Sequence, residues 1–197
     1  MKRIALLAVA VALLSGCAGP AWKISSTTHT LTKRTSMMVI TGNYPAAQSI
    51  FADPLELYPV VRKEGEELYV GLMAGGDIRP PVVTADIWID QNEVWMISSQ
   101  ETPISLTLPS MELLLGLSPD VTEQARTQGL DVLKVMGGNV LARGDKAKAI
   151  LKQMLAGRVL KYRTVDIKRA TSPTREVILD ESFSHSLQMI GVDQRSL

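Results

Sequence analysis

The chain has 197 residues, with 21 basic against 20 acidic side chains, two histidines and one cysteine. A balance this close to neutral argues against a dedicated nucleic-acid binder, which needs a basic face to capture phosphates. A single cysteine excludes an intrachain disulfide, and the length suits one domain with a proper core better than two.

Lys2 and Arg3 precede an uncharged apolar run from Ile4 to Leu14, and Ser15-Gly16-Cys17 follows it. Those eleven residues make about 16 Å of helix against about 30 Å of bilayer hydrocarbon, too short to span. An ordinary secretory cut at Gly16-Cys17-Ala18 fits less well than a lipid-attachment motif. Leu14-Ser15-Gly16-Cys17 resembles the lipobox of bacterial lipoprotein precursors. The resemblance implies that residues 1–16 are a signal segment removed on export and that Cys17 becomes the first residue. It implies acyl chains such as palmitate on the sulfur and the amino group of Cys17. At about 0.8 kcal/mol per buried CH2, several such chains hold a protein on a bilayer almost permanently. By the same resemblance, to lipoproteins of Gram-negative cells, Ala18 in place of an aspartate implies the periplasmic face of the outer membrane over retention in the inner membrane. Without residues 1–16 there remain 181 residues carrying 19 basic and 20 acidic groups, net −1. With Cys17 acylated, no thiol is left for a metal site or a nucleophile.

Residues 17–32 read as the lipidated cysteine and a Ser/Thr-rich tether, and residues 33–197 as one α+β domain. Trp22 suits either the headgroup level or packing on the domain. Thr35–Thr41 reads as a buried strand ended by Gly42-Asn43. Leu57–Arg62 and Leu68–Met73 flank a charged Glu64-Gly65-Glu66-Glu67 turn, a hairpin pattern. Ala85, Ile87 and Ile89 alternate with Asp86, Trp88 and Asp90, so the carboxylates share one strand face with Trp88. Gln91-Asn92-Glu93 turns the chain into Val94–Ile97, and Ile104–Leu108 alternates as a further strand. The expectation is an antiparallel sheet, meander or sandwich-like, with two or three helices.

Ser118-Pro119-Asp120 predicts a helix start, faltering near Gly129 and ending by Gly137-Gly138. A second helix begins near Asp145 with Ala147, Ile150, Leu151, Met154 and Leu155 on one face, and Gly157 in a left-handed cap. Leu160 and Tyr162 share one parity and Val165 and Ile167 the other, which predicts a bulge near Arg163-Thr164. Thr171–Thr174 turns into a strand over Arg175–Leu179, and Phe183, Leu187 and Ile190 predict a closing helix.

Patterns for catalysis are sparse. There is no G-x-S-x-G elbow, H-E-x-x-H, S-x-x-K or phosphate-binding G-x-x-x-x-G-K. Gly116-Leu117-Ser118-Pro119-Asp120 lacks the second glycine of an elbow. Ser184-His185-Ser186 puts neighbours on different sides of a helix, so no triad forms from it. The histidines, His29 and His185, are too far apart in sequence to suggest a metal pair, and no cofactor motif is present. A carboxylate pair among Asp77, Asp86, Asp90 and Glu101 would make a hydrolase only with the right geometry. Trp88 and Trp95 on neighbouring strands would form an aromatic patch if both faced outward.

Charge is segregated along the chain. Residues 44–131 carry 14 acids and 4 bases, whereas 143–175 carry 10 bases and 2 acids. The two stretches either neutralise one another in the fold or leave a basic face built from Lys146, Lys148, Lys152, Lys161, Arg163, Lys168 and Arg169 for an anionic partner. The C-terminal order of helix, Gly157, strand, turn, strand and Phe183-Ser184-x-Ser186-Leu187, with Ile87-x-Ile89-Asp90, resembles invasion-associated locus B-type periplasmic proteins. That resemblance implies a β-sandwich envelope protein without catalytic residues. Size, anchor and α+β content are also similar to lipoprotein carriers of amphiphiles, which implies an apolar cavity. The expected role is a non-enzymatic binding or scaffolding lipoprotein with an envelope protein partner and no nucleic acid. A carrier and an envelope hydrolase are the alternatives.

Overall fold

The computed structural model describes residues 20–28, 35–45, 56–75, 79–107, 123–194 and 197. Cys17, His29, Asp77 and the expected helix start at Ser118-Pro119-Asp120 lie outside them. In chain order the elements are β1 (Trp22–Thr28), β2 (Thr35–Thr41), β3 (Leu57–Glu64), β4 (Glu67–Ala74), β5 (Thr84–Ile89) and β6 (Trp95–Ser98). Then come α1 (Ile104–Thr107), α2 (Glu123–Met136), β7 (Asn139–Arg143), α3 (Gly144–Ala156), β8 (Val159–Val165), β9 (Arg175–Ile178) and α4 (Glu181–Met189). The fold is α+β with two antiparallel sheets, ordered β1-β2-β3-β4-β7 and β6-β5-β8-β9.

Three signals produced the elements they predicted. The charged hairpin turns at Gly65, whose φ of +59° suits the first central position of a two-residue loop. The Ala85/Ile87/Ile89 alternation is β5, with those three side chains in the core. In α3, Ala147, Ile150, Leu151 and Met154 are buried at helical spacing.

The core lies between the sheets. Val39, Val61, Leu72 and Val140 of the first sheet meet Ile87, Ile97 and Leu160 of the second, together with the apolar stripes of α3 and α4. The opposite face of the first sheet is apolar as well: Met38, Ile40, Tyr58, Val60, Tyr69 and Leu141 cluster with Leu106 of α1. Strands buried on both sides lose their alternation, which is why β7 was not foreseen. Its Val140-Leu141-Ala142 reads as a bare apolar run after Gly137-Gly138.

Several expectations are corrected. Residues 22–28, read as tether, form β1, paired along its length with β2. Ile104–Thr107 is a helical turn, with the consecutive pair Leu106 and Thr107 buried. Asn139 Nδ2 donates to Leu106 O at 2.7 Å across the fold, and Thr107 Oγ1 donates to Pro103 O at 3.2 Å within the turn, so one tertiary and one local hydrogen bond override the alternating pattern. The helix α2 runs unbroken through Gly129, where an added Cβ would meet only open space. β8 keeps continuous register with β5 from Val165 opposite Thr84 to Leu160 opposite Ile89, so there is no bulge. Val165, at the end of β8, stands on the opposite face of the strand from Leu160 and Tyr162, and Ile167 lies beyond the strand, in the loop that follows.

Gly157 also departs from expectation. Its φ of −94° and ψ of −179° are extended, not left-handed. The glycine is needed for space: a Cβ there would sit 2.1 Å from Ile89 Cγ2. Gly157→Ala is therefore expected to cost about 1–3 kcal/mol in chemical denaturation, the usual scale of overpacking. A double-mutant cycle with Ile89→Ala should show less than the summed loss; strict additivity would reject the contact as the cause.

Candidate functional site

The chain begins its described course at Pro20 and is fastened two residues later. Trp22 is 1% exposed, its ring 4.6 Å from that of Phe183. Its backbone N–H donates to Ser182 Oγ at 3.0 Å and its indole Nε1 donates to Ile178 O at 2.8 Å. Trp22 therefore binds β1 of one sheet to β9 of the other and to the first turn of α4. Of the two positions open to it, the interior is the one it takes.

Beside this fastening lies a cleft of about 460 Å³, with Pro20, Lys23, Thr41, Tyr162, Glu176 and Val177 in its wall. Lys23 Nζ is committed to the carbonyls of Gly42 and Tyr44, at 3.0 and 2.6 Å. Tyr162 is pushed up to about 12, first by burial; the Arg175 guanidinium opposes the rise and the Glu56 carboxylate adds to it. Arg175 and Glu56 are themselves ion-paired.

The second sheet turns its outer face to solvent, and cross-strand register decides what appears there. Asp86 pairs with Arg163 and Met96, Trp88 with Lys161, Lys161 with Glu176, and Val159 with Ile178. Arg163 Nε donates to Asp86 Oδ2 at 2.9 Å, and its guanidinium carbon lies 5.9 Å from the Trp88 ring centre. Met96 and Ile178, each 63% exposed, flank this arrangement. Trp95 stands opposite Ile87 on the inner face and donates to Gln153 Oε1 at 2.9 Å. The two tryptophans thus point to opposite sides, and the anticipated aromatic patch does not form.

The candidate acids have structural work. Asp86 is 8% exposed and committed to Arg163. Asp90 lies past the end of β5 with a φ of +52°, so it does not share a strand face with Asp86. Its carboxylate accepts the backbone N–H groups of Arg158 and Val159, the latter at 2.9 Å, pinning the α3–β8 connection. Glu101 accepts the N–H of Ser98 at 3.0 Å and binds Lys146 Nζ at 2.8 Å. His185 is exposed on α4, while Ser186 is buried and Ser184 donates to Glu181 O. Among the described residues no three metal-ligating side chains converge, and no helix is long and apolar enough to cross a membrane.

The basic residues singled out from the sequence are distributed over three places. Lys146 starts α3, held by Glu101 and by Met96 O. Lys148 and Lys152 are exposed on the flank of that helix. Lys161 and Arg163 lie on the outer face of the second sheet, and Lys168 and Arg169 are exposed in the β8–β9 loop. Pairings of Glu56 with Arg175, Asp86 with Arg163 and Glu101 with Lys146 join the acidic stretch to the basic one.

Tyr69 is also pushed up to about 12, by burial first and then by the hydrogen bond it donates to Glu67. Unfolding returns Tyr69 and Tyr162 to the ordinary value of 10. Below pH 10 both states keep the protons and their contribution is constant; from pH 10 toward 12 the unfolded chain holds fewer protons, so stability falls. Denaturation midpoints measured across that range should decline, and Tyr162→Phe should flatten part of the decline. A profile unaltered by that substitution would exclude Tyr162 as a source.

The chain matches no protein-family model, and no curated protein or solved structure matches it.

Proposed function

We propose that this chain is a lipid-anchored, non-enzymatic binding or scaffolding protein of the bacterial envelope, attached through Cys17 to the periplasmic face of the outer membrane. One observation carries the reading: Leu14-Ser15-Gly16-Cys17 closes a short apolar run behind Lys2-Arg3 and holds the single sulfur of cysteine in the chain. The placement of Trp22 supports it. Only Ala18 and Gly19 lie between Cys17 and Pro20, a reach of about 10 Å, so acyl chains at Cys17 would keep the body against the bilayer.

The surface offered to an envelope protein is the outer face of the second sheet, where Trp88, Met96 and Ile178 lie among charged pairs. The non-enzymatic reading draws support from Asp86, Asp90 and Glu101, each bound to structural partners. A carrier of amphiphiles has less support, because Leu72, Ile87, Ile150 and Leu160 fill the space between the sheets.

Cys17→Ser is expected to abolish incorporation of labelled fatty acid and to release the protein from membranes. Labelling equal to that of the unaltered chain would overturn the anchor. A photo-crosslinking residue at Met96 should yield a discrete protein adduct in intact cells, weakened when a charge reversal, Lys161→Glu, is added. Arg163 is unsuitable for that reversal, because its loss leaves Asp86 buried without its cation.

A further inference from the structure

The loop between β8 and β9 carries an arginine where glycine would be easiest. Asp166 N–H donates to Ala170 O and Arg169 N–H donates to Asp166 O, both at 3.0 Å, closing a three-residue tip of Ile167, Lys168 and Arg169. Asp166 suits the first position of the turn, and its Oδ1 accepts the N–H groups of Lys168 and Ala170 at 2.8 and 2.9 Å. The third tip residue must take the left-handed region, which glycine or asparagine does at least cost. Arg169 does so with a φ of +64°. Strain of this kind persists where the surrounding structure fixes it, here the hydrogen bonds of Asp166, and it clusters at functional segments. All three tip residues are exposed, Ile167 by 58%. The Asp166 carboxylate is turned into its own backbone, leaving a branched apolar side chain followed by two cations.

The tip also shares one end of the sandwich with the start of β1. Ile178, at the far end of β9, is held by Trp22. Moving back along β9, Glu176 borders the cleft with Pro20 and Asn43, and Arg175 is paired with Glu56 just ahead of β3. The 166–174 connection continues beyond that end, whereas the Gly65-Glu66 turn caps the opposite end of β3.

We propose that Ile167, Lys168 and Arg169 form a membrane-contact tip for an anionic phospholipid surface, with the cations at headgroup phosphates and Ile167 at the acyl boundary. The proposal rests on anchoring at Cys17, which would bring this end of the body to a bilayer. Each cation near such a surface contributes about fivefold in affinity. That is little for a free protein but enough to orient a tethered one, because the contact is then effectively intramolecular.

The full-length protein, extracted from membranes, is reconstituted into vesicles of phosphatidylethanolamine with phosphatidylglycerol, or of phosphatidylcholine alone. An environment-sensitive dye is placed on Ile167→Cys, or on Glu66→Cys as the distal control. At position 167 the dye should be blue-shifted and several-fold less quenched by iodide in anionic vesicles, with the difference shrinking in phosphatidylcholine or at high salt. Adding Lys168→Ser and Arg169→Gly should remove the protection, with Tm unchanged or raised because glycine relieves the backbone at 169. Equal quenching at both positions, or protection that survives loss of both cations, overturns the tip. Protection seen only in whole envelopes and absent from vesicles also overturns it, in favour of a protein partner. The mass of the N-terminal peptide reads the anchor separately. A bare Cys17 overturns the anchor and the contact with it, whereas acylated Cys17 with equal quenching overturns the contact alone.

Discussion

Two sheets that bury their inner faces against each other leave edge strands apart, and something must span the gap. Here the spanning group is the indole of Trp22, which belongs to the first sheet, packs at a tilt against the Phe183 ring and gives its N–H to a carbonyl of β9. The backbone around it is tied in turn: Asp180 caps α4 by accepting the N–H of Ser182, and Ser182 Oγ accepts the N–H of Trp22. Unpaired edge groups attract other chains, so closing β9 with a side chain also protects the sheet. Because this fastening sits at the start of β1, it fixes which end of the sandwich stands nearest the N-terminal segment.

Electrostatics follow the same logic of joining distant stretches. The acidic first half and the basic second half meet as Glu56–Arg175, Asp86–Arg163 and Glu101–Lys146, each pair linking an element from before residue 102 to one from after residue 142. Exposed pairs of this type contribute little to stability individually, and Lys146 and Arg163 keep appreciable exposure. Their larger effect is on register and field. Asp86 is nearly buried and holds Arg163 over Trp88, while Lys146 and Arg175 of the basic stretch are likewise paired with acids from the first stretch. Of the seven basic residues singled out from the sequence, Lys148 and Lys152 stand exposed on the flank of α3, and Lys168 and Arg169 at the tip of the β8–β9 loop.

Asp86, Asp90 and Glu101 are held by backbone amides and cations of the fold itself. Surfaces are the better candidates for function, and they differ in character. The outer face of the second sheet mixes aromatic, aliphatic and paired charged groups, as protein-binding faces commonly do. The loop tip is small, cationic and locally strained. The proposed envelope role uses the first for a protein and the second for the membrane, with attachment at Cys17 supplying proximity to both.

Local signals were legible wherever one stretch contained its whole cause. The β3–β4 hairpin needs only Gly65 between two apolar runs, β5 only its alternation, and α3 and α4 only their spaced apolar residues. A motif of four residues likewise sufficed to propose Cys17 as the attachment point. The seven basic side chains were visible too, but not their dispersal, because charge along a chain says nothing about which acid folds beside it. Long-range contacts decided the rest: β1 is a strand because β2 lies beside it, and Leu106 sits in a helical turn because Asn139 reaches its carbonyl. β7 is hidden because both its faces are covered. Gly157 is required by a methyl group of Ile89, a residue far away in sequence. Periodicity reports a single buried face, so the sequence by itself determined the elements with one such face. Only tertiary structure could decide those whose environment is set on two sides by strands and helices from elsewhere in the chain.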